Sequence, residues 1–488
     1  MLAILMMAVI AAAGLGQVEP LALDPEKDTF EIAPSEHRYI EARWLETSIH
    51  ARPWIPDRRL ATLVRGTRLV VRGEVEIKGK AGCHDKPWYA VYPFGYVCSE
   101  QARPTDEPPT PGPALPLLAD RQLPYRYAIV RADGTLAYHG RDALDAGTPT
   151  RTLTKGMTLA IERELELEGV AYVETVDGLY VQDEKVGWMG QGSTWSGVHL
   201  LGGAPGLAFA WVTRDKTPVH AEGSATADRV GTLGERARVA LYEEVEDGDA
   251  RWLKIGEGRW VRADHLNEVV ILEPPAGVLD DARAGDEQWI DVDTGEQVLV
   301  AYRGARPVYA TLISSGRGHP TPLGNYPIWA KVTTLTMSNQ DYEDNAYMVQ
   351  EVPWVLLFQG HNALHAAYWH NGFGRRKSHG CVNLSPQDAR FMFDWVAPSL
   401  PLGWTGFLPA LDRSVVVHVR DSSRAEGEQF VQERPVGPPD RDAEREKLEA
   451  AEKRRQELAG QQPSPPAPGQ VVLSPSPSPS ADREDPGT

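Results

Sequence analysis

Three stretches in the first part of the chain repeat one frame, and that repetition limits the fold more than any other feature. Leu63–Val71 matches Leu153–Ile161 position by position, with Gly66 and Gly156 in register. Leu233–Leu241 keeps the apolar frame but carries Arg236 where the other two have glycine. Downstream of each frame stands an aromatic residue, followed nine positions later by the valine of an aromatic–valine pair. These are Trp88 with Tyr96-Val97, Tyr172 with Tyr180-Val181, and Trp252 with Trp260-Val261. Apolar alternation broken by glycine-bearing turns predicts short strands in small β modules. Trp88 and Trp252 are expected in the cores of their modules, because a buried aromatic supplies much of a small core.

The 488 residues exceed what one hydrophobic core accommodates, so three or four domains are expected. A net charge of -18 argues against nucleic acid as a partner, since phosphate binding needs clustered lysine and arginine. Residues 1–16 form an apolar run followed by small residues, too short for a membrane span but suited to a signal segment. No lysine or arginine precedes the run, and a buried N-terminal helix is the competing reading. Export to the periplasm or cell envelope is the expectation, with no membrane span in the mature chain.

Of the three cysteines, Cys83 and Cys98 sit close together in the first module and are read as a disulfide, with two free buried thiols as the alternative. A bridge over a loop of that size contributes about 3 kcal/mol in the chain-entropy model and persists only in oxidising compartments. Cys381 is left over. Two linkers stand out: Thr105 to Pro116, and Glu273 to Gly277. From residue 421 to 488 the chain turns charged and then rich in proline and serine, which predicts a disordered tail.

The chemistry concentrates in Ser378-His379-Gly380-Cys381-Val382-Asn383-Leu384. In extended backbone, His379, Cys381 and Asn383 share one face and Gly380, Val382 and Leu384 the other. A helix follows, with Ser385 as N-cap, Pro386 in its first position and Asp388 in its third. Ala389, Met392, Phe393 and Val396 form its buried stripe. A free thiol is mostly protonated at neutral pH and needs a base or a positive field. The stretch upstream offers His361, His365 and His370.

His365, a glycine-containing loop, and then Ser378 to Asn383 together resemble the signature of the YkuD-type L,D-transpeptidase domain. Trp289 to Val292, Val300 to Tyr302, Thr321 to Tyr326, and Val352 through Phe358 resemble that domain's supporting strands and turn. The loop between His365 and Ser378 is slightly shorter than the family usually has. The resemblance implies a catalytic domain at 286–420, with Cys381 as nucleophile and His365 as proton acceptor and donor. It puts the carbonyl that orients the imidazole at Ala366. The oxyanion hole would comprise the amides of Gly380 and Cys381, with His379, while Ser378 and Asn383 hold the loop. The substrate implied is the peptidoglycan stem peptide, and no metal or organic cofactor is required.

The third repeat, within 208–268, resembles a bacterial SH3-like domain, the first (40–104) less closely, and the middle one (124–190) least. In that family such modules bind wall peptides or act as spacers. The expected fold is therefore mainly β: an L,D-transpeptidase β-sandwich preceded by two or three SH3-like small β-barrels. Rival readings are an L,D-carboxypeptidase on the same stems, a zinc enzyme using the three histidines with Cys381, and a wall-binding protein with an inactive scaffold. Arg375, Arg376 and Lys377 are read as a solvated turn, with a role in holding substrate carboxylates as the alternative.

Overall fold

Alternating apolar residues and frequent turns give a structure built of strands. The computed structural model describes residues 31–440, apart from 45–46, 55–58, 64, 78–82, 85, 110–114, 116–120, 201–207, 279–284, 319–320, 339–346 and 402–403, together with 446 and 449. The apolar segment 1–16 and almost all of the tail beyond 440 lie outside the described residues. One compact unit spans the chain to Pro439 except Gln340–Asp344; the other lies almost entirely outside the described residues.

Among the described residues the strands form five sheets, and none closes into a ring. The first module makes a seven-stranded sheet between Tyr39 and Thr105. The third divides into a three-stranded and a five-stranded sheet. A six-stranded sheet carries Gln288–Asp293 at its centre, between Val298–Arg303 and the parallel strand Val416–Arg420. The middle module does not stand alone. Its strand Thr158–Leu167 meets Met348–Gln359 in parallel at Thr158 and Val349, so its strands and those around His365 belong to one sheet.

Trp88 and Trp252 are buried, each edge-on to a histidine, His50 and His220. Cys83 and Cys98 are joined by a disulfide across 15 residues. Its sulfurs belong to the same apolar cluster as Trp88, Ala90 and Tyr96.

The three modules share cores with the segment that follows them. Phe94 of the first packs against Trp404 and Phe407. Tyr127 and Ala160 of the second, with Leu123 just before it, join the cluster that holds Leu364, Ala366 and Val382. Trp211 and Val269 of the third pack with Trp289, Tyr302 and Phe373. The Glu273–Gly277 segment, expected to separate two bodies, touches the next one: Asn325 Nδ2 donates to the Ala276 carbonyl at 3.4 Å, and just before the segment the Leu272 amide donates to Tyr302 Oη at 2.9 Å. Burial of apolar surface on both sides makes these modules part of one packed body rather than beads on a string.

The helix forms at Pro386–Trp395, where the capping pattern put it. Ser385 Oγ accepts from the Asp388 amide at 3.1 Å, and Ala389, Met392, Phe393 and Val396 are buried. Asp388 does more than cap. Fully buried, it accepts from Tyr309 Oη and Thr311 Oγ1, each at 2.6 Å, and from the Gly197 amide at 2.8 Å. Those bonds tie the helix to the six-stranded sheet.

The tail boundary moves. Residues 421 to 437, expected to begin the disordered stretch, are held on the surface of the sheet. The Glu433 amide donates to the Leu323 carbonyl at 3.0 Å, the Gly360 amide to Gly437 O at 2.9 Å, and Phe430 stacks on His418. A polar segment with few apolar residues is ordered here because its backbone groups find partners, which composition does not reveal.

Candidate active site

The Cys381 motif and the His365 segment upstream of it meet as neighbouring strands. Asn362–Ala366 and Val382–Leu384 run parallel, with Leu364 opposite Val382, His365 opposite Asn383 and Ala366 opposite Leu384. Side chains alternate across a strand, so His365 and Asn383 share a face. Cys381 sits in the bend one residue before that strand, and a period of two carried back through it would put the thiol on the side of Asn383. Val382 and Leu384 point into the core and are fully buried.

His365 Nδ1 lies 3.1 Å from the carbonyl oxygen of Ala366. A carbonyl can only accept, so Nδ1 carries the proton and Nε2 keeps the lone pair. The imidazole is buried and lies against Trp369, ring centres 5.8 Å apart. Desolvation pushes its pKa down to about 4, so the ring is neutral at neutral pH and available as a base.

Cys381 is the free thiol and keeps a solvent-facing edge. The rest of it packs, with Trp369, on an apolar cluster of Ala330, Val352, Val355, Leu357 and Ala363. That environment pushes the thiol up to about 11, and its Sγ lies 3.7 Å from the His361 carbonyl oxygen, which accepts from it. At rest the pair is therefore neutral thiol and neutral imidazole, not thiolate and imidazolium.

The loop before Cys381 is closed by Ser378. Its hydroxyl donates to the Cys381 carbonyl at 2.5 Å and accepts from the Gly380 amide at 3.1 Å. The Gly380 amide, expected to face substrate, is thus engaged inside the turn in this state. A hydroxyl two residues back offers a local partner before any substrate arrives. Thr321, from the turn motif read in the sequence, accepts from Gly316 N at 2.9 Å and donates to Gly380 O at 2.8 Å. His379 is exposed and stacks on Tyr347, 5.6 Å between ring centres.

Asn383 is buried and approaches His370 Nε2 to 2.9 Å. The Gly372 amide donates to His370 Nδ1 at 3.2 Å, so Nε2 bears the ring proton; Asn383 Nδ2 is the atom placed against it, and exchanging the carboxamide nitrogen with its unpartnered oxygen gives that proton an acceptor. His370, like His365, is held near pKa 4 by desolvation, with Lys377 adding to the effect. His361 is exposed and contributes its carbonyl rather than its ring to the thiol. Among the described residues no three His, Cys, Asp or Glu side chains converge as a metal-binding group. Arg375 and Arg376 are engaged with protein: Arg375 Nη2 donates to Thr213 O at 2.6 Å, and Arg376 Nη2 to Thr294 O at 2.7 Å.

Sequence reasoning did not find Trp369, which stacks on His365 and shares an apolar cluster with Cys381, or Tyr368 beside it. Tyr368 Oη donates to Gln350 O at 2.9 Å and so accepts from Thr158 Oγ1 at 2.8 Å, and its ring stacks on Tyr127 at 3.7 Å. Their aromatic pattern, Tyr-Trp-His beginning three residues after His365, was the available signal.

Residues 287–417 match the YkuD family, the L,D-transpeptidase catalytic domain. The matched segment contains His361, His365, Trp369 and Cys381. No curated protein matches the chain. Among solved structures, it is similar to a mutant of the Enterococcus faecium L,D-transpeptidase at 21% identity, over 28% of this chain and 50% of that one, with a TM-score of 0.22. It is also similar to an L,D-transpeptidase from Mycobacterium smegmatis at 17% identity, over 44% of this chain and 96% of that one, with a TM-score of 0.23. Mycobacterium tuberculosis L,D-transpeptidase 1 is 21% identical over 28% of this chain and 62% of that one, with a TM-score of 0.21. The chain thus spans about half the length of the E. faecium chain. No helix among the described residues is long and apolar enough to cross a membrane.

Proposed function

We propose that this protein is a cysteine L,D-transpeptidase that forms 3-3 crosslinks between peptidoglycan stems. The observation that supports the reading is the parallel pairing of the His365 strand with the strand that Cys381 immediately precedes. The Ala366 carbonyl leaves the Nε2 lone pair free to take a proton.

In the reaction, Cys381 Sγ attacks the carbonyl carbon after the third stem residue, at the L-centre of the diamino acid. Its proton passes to His365 Nε2 as the carbon–sulfur bond forms, because a thiol this high and an imidazole this low do not exchange it beforehand. Collapse of the tetrahedral intermediate breaks the peptide bond, and the departing D-alanine amine takes that proton. An amine of a neighbouring stem then attacks the thioester and forms the new amide, while Cys381 leaves and recovers a proton through His365. The Cys381 amide and His379 are the donors proposed for the oxyanion. A substrate carbonyl drawn into the turn would compete with Ser378 for the Gly380 amide.

Export to an oxidising compartment is supported by the Cys83–Cys98 bridge. Mass spectrometry of the purified protein incubated with a disaccharide-tetrapeptide tests the function. A crosslinked dimer lacking one D-alanine is expected. A monomeric tripeptide alone would mean water resolves the thioester and the enzyme is an L,D-carboxypeptidase; unchanged tetrapeptide would sink both readings.

A further inference from the structure

One departure in the threefold repeat remains unused. Gly66, Gly156 and Arg236 occupy the same turn. Each backbone amide makes the equivalent bond, to Ala42 O, Val130 O and Val212 O, at 2.8, 2.9 and 2.8 Å. All three adopt left-handed φ, +86°, +93° and +63°. Glycine does so freely, whereas an arginine adopts it against steric resistance. A Cβ on Gly66 or Gly156 would meet open space. The third module thus accepts strain to put a long cation where its siblings have nothing.

That cation reaches the loop between His365 and Ser378. Arg236 Nη1 donates to Asn371 Oδ1 at 2.9 Å, and Nη2 donates to the Asn371 carbonyl. Ser193 Oγ donates to the same Oδ1, and the guanidinium lies over Trp195 at 5.4 Å. Two more grips come from the same module: Asn267 Nδ2 on Gly374 O at 3.3 Å, and Thr213 O with Glu235 receiving Arg375. Asn371 adjoins His370, which is bonded to Asn383, and Asn383 is the register partner of His365.

We infer that Arg236 is a positioning residue for the transpeptidase reaction: it clamps Asn371 and so holds, through His370 and Asn383, the spacing of His365 and Cys381. The inference rests on the function proposed above. It also gives the third module a task other than spacing or wall binding.

The test uses the full chain and four variants: Arg236→Gly, Arg236→Lys, Asn371→Ala, and Arg236→Gly with Asn371→Ala. Hydrogen–deuterium exchange is read over residues 367–377, and acylation of Cys381 by ertapenem is followed by mass spectrometry. Arg236→Gly should speed loop exchange and lower the saturating acylation rate roughly tenfold, with half-saturating ertapenem within about twofold of wild type. Exchange in the strand Ala250–Gly256 should not change, because glycine suits the turn. Arg236→Lys should recover part of the rate, since an ammonium reaches one oxygen but not both in fork geometry. Asn371→Ala should add little in the Arg236→Gly background. Loop exchange and rate both within about twofold of wild type would overturn the clamp. So would loss of protection throughout the third module, which marks a folding role. If wild type takes no ertapenem and no stem peptide, the transpeptidase reading fails, and loop exchange alone decides whether the clamp exists.

Discussion

His365 stands directly opposite Asn383 in a parallel strand pair, and Cys381 lies two residues before Asn383, at the entrance to that strand. Parallel neighbours need a crossover between them, and the loop through Trp369, His370 and Asn371 is that crossover. The site is therefore sensitive to whatever holds the loop as well as to the reacting side chains.

Replacing Cys381 by alanine removes the proposed nucleophile. Crosslinking and the ertapenem adduct should both vanish, as read by intact-protein mass spectrometry. A chelator should leave wild-type turnover unchanged; activity lost to the chelator and restored by zinc would transfer the chemistry to a metal.

The His365→Ala variant should acylate roughly a thousandfold or more slowly, as expected when the group that activates a nucleophile is removed. His361→Ala should stay within about tenfold, because His361 meets the thiol through its backbone carbonyl, which alanine retains. Stopped-flow acylation rates distinguish them, and near-normal acylation by His365→Ala would move the base elsewhere.

The resting protonation states set a pH profile. Burial raises the thiol to about 11, so the thiolate fraction rises about tenfold per pH unit up to that value. Alkylation of Cys381 by iodoacetamide in the free protein should follow the same slope, not level off near 8.5. Burial lowers His365 to about 4, so the base stays deprotonated and competent down to that pH and is lost only below it. The acid limb of kcat/KM should therefore fall near pH 4 rather than near 6.5.

Arg420 is buried between two carboxylates of the neighbouring strand, with Nη2 3.0 Å from Asp291 Oδ2 and Nη1 2.7 Å from Asp293 Oδ2. Arg420→Met leaves both without their cation and should cost about 3–5 kcal/mol, measured by urea unfolding. Asp291, already lifted by desolvation to about 6 with Arg420 opposing, should then rise further and protonate at neutral pH. An unchanged unfolding midpoint would show that the pair contributes nothing.

The Cys83–Cys98 bridge closes a 15-residue span beside Trp88. Cys83→Ser with Cys98→Ser should destabilise the first module by about 3 kcal/mol and lower the melting temperature of the whole chain. Turnover on soluble tetrapeptide should stay near normal. Thiol titration should find one reactive group, Cys381, in untreated protein and three after reduction under denaturing conditions.

The local features were legible in the chain because they depend on local physics. Strand alternation, the Ser385 cap with Pro386, and the period that puts Cys381 and Asn383 on one face all follow from backbone geometry within a few residues. The resemblance to the YkuD signature adds the expected pairing of His365 with Cys381. What the chain order did not disclose is everything decided by contact between distant segments. Nothing near residue 158 indicates that its strand continues the sheet of Val349, or that Tyr127 will lie on Tyr368. Asp388 reads as a helix-capping acid and becomes a buried hub only once Tyr309, Thr311 and Gly197 converge on it. Arg236 reads as a lapse in a repeat until the fold carries Asn371 to it. Burial and hydrogen-bond partners belong to the packed body, and so do the protonation states of His365 and Cys381, which solvent exclusion sets.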